Sequence, residues 1–290
     1  MIENEFLKLK TNEMGGHLSS IFDKKKNTEI IYQPLEKSWQ GQDVFIFPFI
    51  ARLKDGFYIY KGNRYEFKNH GLIRYMKGEY FSNNENEEGY IFRSDFETKE
   101  RYPFDFVATV KYKLNGNEIE CEYTIRNCDN EEMPFEIGMH PAFLLPGSFK
   151  NDVFETKDNK IVFNGANELV RLKQDDTFSF MTSEKEIIKN NEMDLSKDLF
   201  RKINTYIFEG ENINNIVLYK KDNSKITLNF NHSQFIAVWS DNYYGNYVCI
   251  EPWSGLPDYI DPKREISEKP FMKFLKPGKT FKYSYSIKVN

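Results

Sequence analysis

An all-β fold, one large antiparallel sandwich, is what this 290-residue chain predicts, from two alternating stretches and an aromatic-rich composition. In the first stretch Phe104, Phe106, Ala108, Val110, Tyr112 and Leu114 occupy alternate positions. Asn115-Gly116-Asn117 makes a turn, and Ile119, Cys121, Tyr123 and Ile125 then alternate with Glu118, Glu120, Glu122, Thr124 and Arg126. Period two on both sides of a turn describes a β-hairpin with one buried and one wet face. Lysines on one wet strand meet glutamates on the other, which favours cross-strand pairs. The second stretch is the C-terminus, where Phe281, Tyr283, Tyr285, Ile287 and Val289 alternate with Lys282, Ser284, Ser286 and Lys288. The 26 Phe and 18 Tyr suit pleated surfaces, and no convincing amphipathic helix competes.

From the N-terminus, Phe6–Lys10 alternates weakly, Gly15-Gly16 turns, and His17–Asp23 and Glu29–Tyr32 read as further strands of a meander. Trp39 to Arg52 is dense and apolar, so it is either buried on both faces or an irregular loop near a site. Lys54–Tyr58 reads as a hairpin turn leading into a strand at Tyr58–Tyr60. Between Gly147 and Asn204 the pattern is irregular, with a strand expected at Lys160–Phe163 and a short helical piece around Ser183–Lys189. Ile226–Phe230 alternates, and Phe235–Trp239 reads as a central strand. Neither an internal repeat nor a low-complexity linker divides the chain, so residues 1–290 are expected to form one domain.

A net charge of -4 and dispersed lysines argue against nucleic acid or an anionic membrane as partner. No apolar run is long enough to span a bilayer, and Met1–Glu5 does not open a secretion signal, so a soluble cytoplasmic protein is expected. Cys121, Cys128 and Cys249 offer neither a disulfide framework nor a zinc pattern, and Cys121 reads as a small buried hydrophobe. No metal or cofactor is expected, and nothing in the sequence sets an oligomeric state.

The stretch richest in chemistry is Cys249-Ile250-Glu251-Pro252-Trp253. In a strand, Glu251 faces away from Val248 and Ile250, and Pro252 is expected to end the ladder there. Glu251 is then either a solvated or salt-bridged strand-end carboxylate, or, against an apolar wall from Trp253, a base of raised pKa. Of four histidines, His17 and His232 have turn-like or strand-end contexts and read as structural or exposed. His70 precedes Gly71 and His140 precedes Pro141, each near bulky apolar residues. Each is either a satisfied structural histidine or half of an acid/base pair. No nucleophile motif or phosphate loop is present.

Four ordered blocks resemble the aldose 1-epimerase (galactose mutarotase-like) family, most closely its LacX-like branch. They are His70-Gly71-Leu72-Ile73-Arg74, Tyr102-Pro103-Phe104-Asp105-Phe106, Gly138-Met139-His140-Pro141-Ala142-Phe143 and Cys249-Ile250-Glu251-Pro252-Trp253. Trp39 and the stretch from Phe47-Pro48 to Arg52 are similar too. The resemblance implies a single-domain β-supersandwich with a sugar cleft and interconversion of the α and β anomers of a free aldose. It implies Glu251 as general base, His140 as general acid, and His70 near the anomeric centre or ring oxygen. With Glu251 raised and the histidine near neutrality, the pair would hold opposite protonation states at one pH. Arg52 and Arg74 are the candidates for sugar hydroxyls, with Arg74 alternatively a structural partner for a carboxylate, and Trp253 the apolar wall. Three positions depart from the family pattern: Ala51 where glycine is usual, Asp43 where proline is usual, and no aspartate near Lys202-Ile203-Asn204. A hexose-6-phosphate 1-epimerase and a carbohydrate-binding protein without turnover are the alternatives.

Overall fold

The computed structural model describes residues 1–150, 153–155, 158–177, 179–230, 233–241 and 246–290, with the backbone alone at 148–150, 153–155, 197 and 198. His232 lies outside the described residues.

Two large antiparallel sheets dominate. One has nine strands, in the order Glu192–Asp194, Lys160–Asn164, Asn215–Tyr219, Lys225–Phe230, Thr280–Val289, Glu118–Asn127, Phe106–Asn115, Glu87–Arg93 and Glu79–Asn84. The expected hairpin sits in it, with Lys111 opposite Glu122 and Lys113 opposite Glu120. Both pairs are ion pairs, and Cys121 is buried on the core face. The C-terminal strand lies between this hairpin and Lys225–Phe230, so the chain's end is held inside the sheet.

The second sheet runs Met181–Ile188, Leu169–Gln174, Thr205–Glu209, Phe235–Trp239, Tyr247–Trp253, Gly138–Met139 and Phe45–Ile46, with Ala142–Leu144 also on Tyr247–Trp253. Phe235–Trp239 is central, as its unbroken apolar run predicts. One apolar core joins the two sheets, with Val238, Val248 and Ile250 of the second packed in the same cluster as Val110, Tyr123 and Ile287 of the first. Phe45 stacks edge-on to Tyr123 across it, ring centroids 4.8 Å apart. The N-terminal meander is a separate four-stranded sheet, Ile2–Glu3, Leu7–Thr11, Leu18–Asp23 and Thr28–Glu29.

Four local expectations are corrected. Ser183–Lys189 is not helical: Met181–Ile188 is a strand on Leu169–Gln174. Its charges pair across strands rather than along a helix, Arg171 with Glu186 and Lys185 with Glu209. A short helix stands at Lys197–Lys202 instead. Lys54–Gly56 is a 3-10 turn, and the hairpin joining Phe57–Tyr60 to Asn63–Glu66 turns at Lys61 and Gly62, both at positive φ. Of residues 30–32, expected to continue the strand at Glu29, Ile31 alone makes a bridge, to Phe143. Finally, the ladder continues past Pro252, which lies opposite Ile236. Of the Trp39–Arg52 run, Phe45–Ile46 alone is strand, and residues 43–50 are all buried.

Candidate active site

All seven residues of the strand Tyr247–Trp253 are buried. Period two divides them. Val248 and Ile250 enter the main core, whereas Tyr247, Cys249, Glu251 and Trp253 face the other side of the sheet. Ala237 lies directly opposite Glu251 on one neighbouring strand and brings only a methyl group to that face. On the other side the ladder breaks for two residues but keeps register: Gly138 is opposite Trp253 and Ala142 opposite Cys249. Counting two residues inward from either pair puts His140 opposite Glu251. Its Nε2 lies 3.3 Å from Glu251 Oε2, and both side chains are buried.

An aromatic box holds the imidazole. Its ring centroid is 4.9 Å from that of Trp39, 5.6 Å from Trp239 and 5.2 Å, edge-on, from His70. His70 arrives on a strained turn, with φ of +62° at His70 and +86° at Gly71. A Cβ at Gly71 would lie 2.0 Å from the Phe47 carbonyl oxygen, so only glycine lets this turn press against that loop. The His70 N–H donates to the carbonyl of Ala51, itself at φ +50°. Left-handed non-glycine residues persist where the surroundings over-determine them, commonly at functional sites.

These side chains floor a cavity of about 400 Å³. Arg52, Asn69, His70 and Arg74 line it, as do Gln174, Thr177, Ser179, Asn204 and Thr205, which are neutral. Glu251 is the single carboxylate among the described lining residues. All six residues singled out from the sequence, His140, Glu251, His70, Arg52, Arg74 and Trp253, meet here. Arg74 lies over the Tyr75 ring, and neither it nor Arg52 has a carboxylate partner among the described residues. Among the described residues, then, Arg74 makes no structural ion pair. His17 is half-buried and bonded to the Met14 carbonyl, and it does not line this cavity.

Five buried polar atoms around the cavity have no hydrogen-bond partner among the described residues: Asn69 Oδ1, His70 Nδ1, His140 Nδ1, Glu251 Oε2 and Trp253 Nε1. Buried polar groups are nearly always paired, so this cluster marks a place where a hydroxyl-rich ligand would complete the bonding. Burial pushes the Glu251 carboxyl well above the usual carboxylate range, the Asp43 charge adds to this, and the Trp253 indole opposes it. Burial pushes His140 down to about 3, with Arg74 acting in the same direction against a backbone contact. That corrects the expectation of a histidine near neutrality: an imidazole enclosed by two tryptophans loses more hydration than an exposed one. Burial, then His140, Arg74 and Arg52, hold His70 well below its ordinary value.

Asp43, read from the sequence only as a departure from the family pattern, supports the site from behind. Its carboxylate accepts the backbone N–H groups of Val44 at 2.8 Å and of Leu18 and His140 at 3.3 Å. Burial raises it to about 6. Trp239 was legible as a strand residue but not as a wall of the site; its signal is the period-two step from Ala237. A hollow of about 510 Å³ on the wet face of the nine-stranded sheet is lined by Lys111, Lys113 and Lys282 with Glu87, Glu120 and Glu122. These charges pair with one another.

The model of the aldose 1-epimerase family matches residues 1–288. The chain belongs to the aldose 1-epimerase family. It is 26% identical over 300 residues to protein LacX of Lactococcus lactis subsp. lactis, in its plasmid and chromosomal forms, covering 99% of this chain and 98% of that protein. It is also similar to a galactose mutarotase related enzyme from Lactobacillus acidophilus, with a TM-score of 0.91 and 28% identity over 100% of this chain and 96% of that one. A galactose mutarotase-like protein from Lactobacillus casei shares the fold, with a TM-score of 0.92 and 23% identity over 100% and 99% of the two chains. Family membership supports a sugar-handling isomerase. Among the described residues no helix is long and apolar enough to cross a membrane.

Proposed function

We propose that this protein is an aldose 1-epimerase that interconverts the α and β anomers of a free aldose. The observation that carries the reading is the meeting of His140 Nε2 and Glu251 Oε2, 3.3 Å apart, on the floor of a cavity of about 400 Å³. Glu251 takes the proton from the anomeric hydroxyl while His140 protonates the ring oxygen. The C1–O5 bond breaks, the aldehyde forms, the C1–C2 bond rotates, and closure by the reverse transfers returns either anomer. Burial favours one shared proton on this pair, held by Glu251 when the site is empty. The reactive arrangement, carboxylate plus imidazolium, holds the same number of protons. Reorienting the two side chains into hydrogen-bond alignment lets that proton pass between them without exchange with solvent. Arg52, Arg74 and the Trp253 N–H supply donors for sugar oxygens and for the carboxylate once it forms.

Polarimetry on freshly dissolved α-glucose and α-galactose tests this. Wild type speeds equilibration, and Glu251→Gln, folded by circular dichroism, loses roughly 10²–10⁴ in rate. Equal rates for the two proteins would leave binding without turnover.

A second reading, a hexose-6-phosphate 1-epimerase, is favoured by one observation: Arg52 and Arg74 stand in the cavity with no carboxylate partner among the described residues. Two guanidinium groups beside neutral Gln174, Thr177 and Asn204 suit an anionic substituent. Acceleration with hexose 6-phosphates alone would select this reading over the first.

A further inference from the structure

Cys249 has no part in the proton transfers above, yet its strand puts it beside them. It lies two residues before Glu251 on the same face of the sheet, opposite the small side chain of Ala142. One donor atom each from His140, Cys249 and Glu251 can be chosen so that all three lie within 4.8 Å of one another, and all three residues are buried. Glu251 Oε2 has no hydrogen-bond partner among the described residues, because the His140 Nε2 at 3.3 Å lies off hydrogen-bond geometry.

We propose that His140, Cys249 and Glu251 form a three-ligand site for a thiophilic divalent cation, Zn²⁺ or Cd²⁺, whose binding blocks the sugar site. One imidazole nitrogen, one sulfur and one carboxylate oxygen make a mixed donor set that suits zinc-like ions. Magnesium and calcium prefer oxygen ligands throughout. Atoms bound at 2.0–2.3 Å to one tetrahedral ion lie roughly 3.3–3.8 Å apart, so a movement of about 1 Å closes the widest pair. Three protein ligands leave a fourth position, and because His140 and Glu251 line the cavity a water or a sugar hydroxyl could fill it from there. The bonds formed are coordinate only; the thiol and carboxylic acid protons pass to the buffer as the doubly charged ion enters. A cation there occupies both the acid and the base, so it inhibits rather than assists. That inhibition rests on the function proposed above, whereas the metal site does not.

The test titrates the reduced full-length protein with Co²⁺ as a spectroscopic probe, then with Zn²⁺ to displace it. Wild type is expected to show a thiolate-to-cobalt charge-transfer band that saturates at one equivalent. Cys249→Ala is expected to lack it, and Cys128→Ser, altered at the exposed thiol, to keep it. Loss of Cys249 weakens Zn²⁺ binding by at least about 10–100-fold, the cost typical even of an outer-shell partner. In polarimetry, Zn²⁺ inhibits wild type at concentrations that leave Cys249→Ala active, and Cys249→Ser serves if the alanine variant melts early. The absence of a band in wild type, or its persistence in Cys249→Ala, overturns the site. A band in a protein without mutarotation overturns the proposed function and leaves the site standing.

Discussion

At the scale of single residues, the pair on the cavity floor titrates as a unit, and its apparent pKa values belong to both groups. Below about 3 the pair gains a second proton as His140 charges, and well above the usual carboxylate range it loses its only one. The rate against pH is expected to be a broad bell whose alkaline limb lies far above an ordinary glutamate. A profile that is flat at both ends, with chemistry rate-limiting, would remove the assigned roles. Asp43 makes a separate prediction. Its folded pKa, about 6, is raised above the ordinary 3.8, so the fold binds the extra proton. Its contribution to stability is present below pH 4 and is lost as the pH rises toward 6, by about 3 kcal/mol. An asparagine in its place cannot titrate. Urea unfolding of Asp43→Asn between pH 4 and 7 is expected to show a shallower loss than wild type, the two curves converging or crossing as pH rises. Parallel curves would mean that the carboxyl stays ionised in the fold.

At the scale of elements, the strands that alternate cleanly were legible. Phe106–Asn115, Glu118–Asn127 and Thr280–Val289 each bury one face, and period two states this in the sequence itself. Met181–Ile188 was not. Its residues 183–187 are exposed, so no buried row marks them as strand, and pairing with Leu169–Gln174 alone makes them one. The loop that delivers Arg52 carries a cost of its own. Ala51 stands at φ +50°, where a Cβ costs about 1–2 kcal/mol. Glycine removes that strain but gives back roughly 0.5–1 kcal/mol of chain entropy. Ala51→Gly is therefore expected to stabilise by up to about 1.5 kcal/mol, read as a higher urea midpoint at unchanged slope. A lower midpoint would show that the turn is held without strain.

At the scale of the whole molecule, one buried ion network ties the walls of the cavity to the fold. Lys269 Nζ donates to Glu136 Oε1 at 2.7 Å and to the Leu256 carbonyl at 2.6 Å. Glu136 Oε2 accepts the Ile50 N–H, and Asp258 Oδ2 the Lys54 N–H. The loop through Arg52 and the segment after Trp253 are thereby fixed to one another. Removing one partner of a buried pair costs about 3–5 kcal/mol because the other charge is stranded. Lys269→Met is expected to lose that much, and adding Glu136→Gln to recover most of it. A double variant no more stable than Lys269→Met would place the cost elsewhere. The sequence by itself determined the β class, the wet and buried faces of its long strands, and the residue types of the site, because side-chain periodicity and chemistry are local properties. Tertiary structure alone decided that His140 stands opposite Glu251, that Asp43 lies behind it, and that the imidazole comes within reach of Cys249. Register between strands more than a hundred residues apart leaves no mark in either strand, and the enclosure that shifts these groups exists only once the strands have met.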